Sequence, residues 1–317
     1  PPRSTLFPYT TLFRSVYRRM KRWLICILLL LTVSACAPPP WNEPPLHEDL
    51  TIVAPGEGAP VKRMTVLLTG WSRGDLSHFV RGAEKTPLII PIPAFLVERA
   101  DGYVLIDTGL APSLATDPSR YVGSFLACLA KGYLKRLIMR PEWAVPARLQ
   151  ALGVEGAQVK HVVLTHAHFD HTGANRAFLD ATFHLTDAAL DAGRHGGIFK
   201  GYMDNDFPPA MKIAPLDFAG TPPFLTFTGS VDLFGDGSMI AVPLPGHSPG
   251  AIGVFVRAPS GPTLLVGDAA YLMQNIAEPR LNGLTVEDEA EWDTLCRLKR
   301  LQEQMPELRI VPFQEPG

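Results

Sequence analysis

Two spacings of apolar residues alternate along this chain. Short β-rich runs, MTVLLTG at 64–70 and AFLVERADGYVLIDTG at 94–109, dominate the first third. The second run divides at Asp101 and Gly102, and an Asp-Gly pair between apolar strands predicts a hairpin. HVVLT at 161–165, FHLT at 183–186, MIAVPL at 239–244, AIGVFVR at 251–257, TLLVGD at 263–268 and RIVPF at 309–313 read as further strands. From Ser113 to Leu152 the spacing becomes helical. SFLACLAKGYLKRLIM sets Lys131, Lys135 and Arg136 among apolar positions, which suits a helix packed on a sheet or a lid over a pocket. Residues 187–229 are rich in Gly, Pro and Asp and read as loop with irregular helix. A helix over 286–304 carries Trp292, Leu295, Leu298 and Leu301, with Met305 following, in mostly three-residue steps. The strand-then-helix order in both halves makes this an α/β chain, and 317 residues at 46% hydrophobic are enough for one catalytic domain over 61–317.

The first 35 residues follow neither spacing. Thr5–Ser15 resembles the translation of a sequencing adapter, so residues 1–19 read as a non-native leader and Met20 as the natural start. Lys21 and Arg22 precede an apolar stretch, Trp23–Val33, of about 11 residues, against the roughly 20 that span a bilayer; 20–35 is therefore read as an export signal. VSAC at 33–36 resembles the lipobox of bacterial lipoproteins, which implies a lipidated Cys36; the alternative is an ordinary cleaved signal. The Pro-rich APPPWNEPP behind it opens a linker over 36–60 that holds the body off a membrane. Ala37 after the cysteine points by analogy to the outer membrane, facing the periplasm.

Removing this segment changes the charge picture. It holds six of the 29 Lys and Arg and none of the 31 acids, so residues 36–317 carry 23 basic against 31 acidic side chains, a formal net charge of −8. That argues against nucleic acid as a partner, and the expected partner is a small-molecule substrate. Cys128 and Cys296 read as buried small hydrophobes, with a disulfide between them as the alternative. No CxxC pair is present to hold zinc through thiolates.

The chemistry gathers in HAHFDH, where His166, His168, Asp170 and His171 leave the end of a strand together. Three imidazoles and a carboxylate within six residues suit zinc and similar cations and fit neither a core nor a solvated face. HAHFDH is similar to the HxHxDH signature of the metallo-β-lactamase superfamily, and IDTG at 106–109, PGHSPG at 245–250 and GDAAY at 267–271 follow in that family's order. The resemblance implies an αββα sandwich of two mixed β-sheets flanked by helices and two divalent metal ions, most commonly zinc. His166, His168 and His247 would hold one, Asp170 and His171 the other, and Asp268 would bridge them. The two ions would acidify a shared water whose hydroxide attacks an ester or lactone carbonyl. Asp107 would orient a metal-bound histidine, though a turn aspartate satisfying backbone amides is an equal reading.

Asp268 stands where zinc β-lactamases carry a cysteine or lack the bridge. DAAY, with Tyr271 three residues after Asp268, is similar to the DxxY of the N-acyl homoserine lactone lactonases, and this resemblance implies catalytic roles for Tyr271 and Asp170. The alternative for Tyr271 is a core aromatic. One departure stands out: where the family has a late histidine ligand, this chain has VPFQEPG, which puts Gln314 at the expected ligand position and Glu315 where an aspartate is usual; the alternatives to a ligand change are a sequence error or a missing segment that would supply the histidine. A neutral amide oxygen is a poor zinc ligand, so the second site is expected to be weak. The readings are a lactonase or esterase; a hydrolase of another ester, phosphodiester or β-lactam; or a lipid-anchored binding relative whose second metal site has decayed. Trp71, His78, Phe79 and the 113–152 stretch are the expected substrate contacts.

Overall fold

The computed structural model describes residues 44–46, 50–122 and 134–316; Cys36, Cys128, Lys131, the leader and the export signal lie outside them. Within the unit spanning Pro45–Gly317, β1 (Arg63–Asp75) runs through the turn of α1 (Leu76–Phe79) into β2 (Pro87–Arg99). β3 (Gly102–Ile106) pairs antiparallel with β2 across the expected Asp101–Gly102 turn, with Gly102 at φ 139. β1 extends beyond residue 70 because its polar segment WSRGD stays paired with the apolar start of β2, as in Arg73 opposite Ile89.

Of the 113–152 stretch, residues 123–133, at the centre of its helical spacing, lie outside the described residues. α2 (Ser113–Thr116), α3 (Pro118–Val122), β4 (Leu137–Ile138) and α4 (Val145–Ala151) are separate short pieces, with a 3₁₀ turn at Pro141–Trp143. Pro118, Pro141 and Pro146 each fix φ and remove a backbone donor, so no long helix propagates through them. β5 (Val159–Val163), α5 (Phe169–Thr172) and β6 (Thr182–Leu185) follow. The stretch read as loop contains α6 (Asp187–His195), whose first turn is capped by Thr186 Oγ1 accepting from Ala189 N at 3.2 Å, and β7 (Lys212–Pro215).

The remaining elements are β8 (Val231–Asp232), β9 (Met239–Pro243), β10 (Ile252–Ala258), β11 (Gly261–Gly267), α7 (Met273–Ala277), α8 (Asp288–Gln304) and β12 (Arg309–Pro312). They complete two mixed sheets, β4-β1-β2-β3-β5-β6-β7 and β12-β11-β10-β9-β8.

Strand residues alternate between two cores, as the two-residue period of a strand requires. Phe95, Val97, Val104, Ile106 and Val163 meet Met239, Ile252, Val254 and Leu265 of the second sheet. Their neighbours Ala94, Leu96, Leu105 and Val162 pack with Val145, Leu149, Phe178 and Ala189 on the opposite face of the first sheet. Burial on both faces explains why these strands read as continuous apolar runs. α8 buries Trp292, Leu295, Cys296, Leu298 and Leu301, and its Thr294 hydroxyl donates to Pro245 O at 2.8 Å. That bond ties α8 to the loop that follows β9.

Candidate metal centre

The strands end in the loops that carry the ionisable residues. β5 runs into His166 and His168, α5 follows at once with Asp170 and His171, the loop after β9 brings His247, and the turn after β11 brings Asp268. His166 Nε2 lies 3.1 Å and His247 Nε2 3.0 Å from His168 Nδ1, so three ring nitrogens converge on one point. Asp268 Oδ2 closes that group, 3.8 Å from His166 Nε2 and 3.7 Å from His247 Nε2. Its other oxygen, Oδ1, lies 3.4 Å from His171 Nε2, while Asp170 Oδ2 is 3.9 Å from the same nitrogen. Asp268 therefore stands between the two groups, His166–His168–His247 and His166–His171–Asp268, whose ligand atoms all lie within 4.8 Å of one another.

The donor set fits a cation. His171 Nδ1 is 2.6 Å from Asp107 Oδ2, and a carboxylate can only accept, so Nδ1 donates. In neutral His171 that leaves a lone pair on Nε2 facing the lone pairs of Asp268 Oδ1, and both atoms are buried without a hydrogen-bond partner. Two opposed acceptors need a positive charge between them. Burial alone would lower the His171 pKa, but Asp268, Asp170 and Asp107 outweigh it and raise it well above the usual histidine value. This position therefore calls for a proton or a metal.

The other imidazoles behave oppositely. Burial, with the neighbouring rings, drives His166 and His168 well below the usual value, and burial also lowers His247. All three are neutral at physiological pH, the form that binds metal. Burial raises Asp170 to about 6. For Asp268 the neighbouring histidines, His171 above all, overcome burial and hold the carboxyl below its usual value.

Asp107 acts both as a turn aspartate and as an orienting group. It accepts from Thr165 N and Thr165 Oγ1, each at 2.7 Å, as well as from His171. Gln314 also reaches the cluster, but its amide nitrogen donates to Asp268 Oδ2 at 2.9 Å. Glu315 turns away and accepts from Met273 N.

A cavity of about 1030 Å³ opens over the cluster, lined by His168, Asp170, His247, Asp268, Tyr271 and Gln314. The buried Tyr271 ring packs edge-on against His247, with centroids 5.3 Å apart, and against Phe79 at 5.6 Å. Of the expected substrate contacts, His78 and Phe79 line this cavity, as do Leu114, Tyr121, Leu134 and Arg136 of the 113–152 stretch. Trp71 is not among its lining residues; its indole packs on Trp143 at 4.9 Å, because β4 pairs with β1 there. Phe199, Leu284 and Val286, which are 88%, 66% and 59% exposed, give the cavity an apolar mouth.

Sequence reasoning missed the residues that hold this site in shape. Asn282, fully buried, donates from Nδ2 to Asp268 O at 2.8 Å and accepts from Tyr271 N at 3.1 Å, which fixes the turn carrying both. Its only sequence signal is an Asn-Gly pair that reads as an ordinary loop. Gly246, at φ 128, places its Cα where a Cβ would run into the Glu291 backbone, so the His247 loop lies directly on the start of α8.

Comparison with known proteins agrees with this geometry. The sequence pattern of the Metallo-beta-lactamase superfamily matches residues 90–314. The N-acyl homoserine lactonase AttM of Azorhizobium caulinodans is 35% identical over 198 residues, covering 61% of this chain and 70% of that protein. A probable metallo-hydrolase of Mycobacterium tuberculosis is 33% identical over 181 residues, 56% of each chain. Among solved structures, an N-acyl homoserine lactone hydrolase with N-hexanoyl-L-homoserine at its catalytic metal center superposes with a TM-score of 0.66 at 22% identity, over 81% of this chain and 94% of that one. The dizinc lactonase AidC does so at 0.56 and 15% identity, over 82% and 90%. With the two-sheet sandwich and its cluster of histidines and aspartates at the strand ends, the chain belongs to the metallo-β-lactamase superfamily of metallo-hydrolases.

Proposed function

We infer that this protein is a lactonase of N-acyl homoserine lactones or closely similar acyl lactones, exported and attached to the outer membrane through Cys36. The observation that carries the chemistry is the convergence of three imidazole nitrogens and Asp268 at the floor of an apolar-mouthed cavity. His166, His168, His247 and Asp268 would hold one divalent ion and His171, Asp170 and Asp268 another, with zinc suited to this imidazole and carboxylate set. Such an ion lowers the pKa of water toward neutrality and polarises an ester carbonyl.

The chain's own residues do the rest. A lactone carbonyl seated on the cavity floor would lie beside the cluster, where the Tyr271 phenol would offer an O–H to the carbonyl oxygen as it gains negative charge. Asp170, on the cavity wall, is placed to carry a proton to the ring oxygen that leaves as an alcohol. The oxygen of a water molecule bonds to the carbonyl carbon, the ring ester C–O bond breaks, and the products are a carboxylate and a hydroxyl on one molecule. Phe199, Leu284 and Val286 offer apolar surface to an acyl chain extending from the amide.

The test is a metal-replete screen over acyl lactones, aryl esters, phosphodiesters and β-lactams. Acyl lactones should turn over fastest, and His168→Ala and Asp268→Asn should each lower kcat/KM by at least about 100-fold. A phosphodiester or β-lactam preference would reject the substrate assignment.

A further inference from the structure

The two halves of the metal centre are not equivalent, and Gln314 makes the difference. It follows β12, is 4% exposed, and meets Asp268 at Oδ2, the oxygen that also lies nearest His166 and His247. Its amide orientation is dictated by chemistry. Turning it over would bring Oε1 against a carboxylate oxygen, acceptor to acceptor, whereas the observed Nε2–H meets Oδ2 at 2.9 Å. An amide nitrogen in this position has no lone pair to offer a cation.

Around His166, His168 and His247, three lone-pair nitrogens lie 3.0–3.1 Å apart in sequence along a chain of contacts, with Asp268 Oδ2 behind them. Around His171, Nε2 meets Asp268 Oδ1 at 3.4 Å and the more distant Asp170 carboxylate at 3.9 Å, and the remaining histidine of that group, His166, is shared with the first. Gln314 adds an N–H donor to Asp268 and no lone pair for a cation.

We propose that the protein holds one metal ion tightly, at His166, His168 and His247, and that Gln314 replaces the pull of a second ion by hydrogen-bonding Asp268 and keeping it aimed at the first. Gln314 is thus a positioning residue, and the His171 side is a weak site that fills only at raised metal concentration. The inference rests on the reading of this cluster as a metal centre, but not on the lactone assignment.

Metal content and affinity test it. The purified protein, loaded with zinc and dialysed against metal-free buffer, should retain one zinc per chain by elemental analysis. Competition with a chromophoric chelator should show a second affinity about 10- to 100-fold weaker than the first. Gln314→His, which supplies an imidazole lone pair, should retain two zinc ions and close that gap. Gln314→Ala should leave the His171 side weak and lower the affinity of the tight site as well, because Asp268 loses its tether. Wild-type protein that retains two zinc ions as tightly as Gln314→His overturns the proposal. Protein that binds none overturns the metal centre altogether, while absence of lactone hydrolysis with one zinc bound rejects only the substrate.

Discussion

Asp107 shows how much one residue is asked to do at this site. It is held at φ 58, a left-handed conformation that aspartate tolerates better than most side chains, and there its carboxylate collects a backbone N–H, a hydroxyl and an imidazole N–H. Removing it strands three buried donors, each worth about 1–3 kcal/mol. Asp107→Ala should therefore lower stability by at least about 3 kcal/mol, read as a fall in the denaturant midpoint. Asp107→Asn keeps the shape but presents an N–H to one of those donors. It should fold, yet bind the metal near His171 about 10- to 100-fold less tightly, because the ring loses the partner that fixes its tautomer. Unchanged affinity in Asp107→Asn would mean that Asp107 serves only the turn. At this scale the sequence was legible where the ionisable residues are contiguous, as in HAHFDH, and ambiguous for Asp107, whose carboxylate meets both a backbone amide and the His171 ring. Asn282 was illegible because it acts through backbone atoms 11 and 14 residues away.

Elements as short as α5 do not stand alone, since a four-residue helix is below the length at which helical hydrogen bonds repay nucleation. Its position is imposed from outside. Thr108 N donates to His171 O at 2.7 Å, Phe169 N to Gly201 O at 2.9 Å, and Thr172 Oγ1 to Asp206 Oδ2 at 2.9 Å. Asp206 also accepts from the Tyr121 hydroxyl at 2.5 Å, which links the end of α5 to α3. Burial raises Asp206 to about 7, despite these hydrogen bonds to its carboxylate. Its unfolded value lies near 3.8, so between these two pH values the folded state holds a proton that the unfolded chain has lost. Asp206 therefore favours the fold at acid pH, and that contribution declines as pH rises from about 4 to 7, by an amount on the order of a few kcal/mol. Asp206→Asn cannot ionise and should lack this decline. Melting both proteins from pH 4.5 to 8 should show the variant gaining stability relative to wild type as pH rises; parallel curves would mean that the carboxyl is ionised throughout. The α6 helix was legible only as irregular helix within a loop, for a related reason. Its buried face is Ala189, Ala192 and Gly193, residues too small to write an apolar stripe, and Gly193 is required where the Phe207 ring presses on the helix.

The whole molecule packs two flanked sheets face to face with one cluster at their strand ends, and its long strands were legible because burial on both faces leaves uninterrupted apolar runs. The centre of the 113–152 stretch, residues 123–133, lies outside the described residues, and Pro118, Pro141 and Pro146 divide what is described on either side of it. Association with a membrane is a separate matter, decided by surface and tether. Among the described residues no helix is long and apolar enough to cross a bilayer, and residues 36–317 carry a formal net charge of −8, which an anionic lipid surface repels. The exposed Phe199, Leu284 and Val286 at the cavity mouth offer a small apolar contact, but three side chains at about 1.5–3 kcal/mol each, if fully buried, make a reversible association at best. Stable attachment would then depend on acylation of Cys36, whose multiple chains exceed the threshold that a single chain does not reach. In cells expressing the full chain, wild type should sediment with outer membranes and resist a high-salt wash, whereas Cys36→Ser should appear in the soluble periplasmic fraction with lactone hydrolysis intact. If Cys36→Ser stays with the membrane and Phe199→Ser with Leu284→Ser releases it, the apolar mouth is the anchor and the lipid assignment fails.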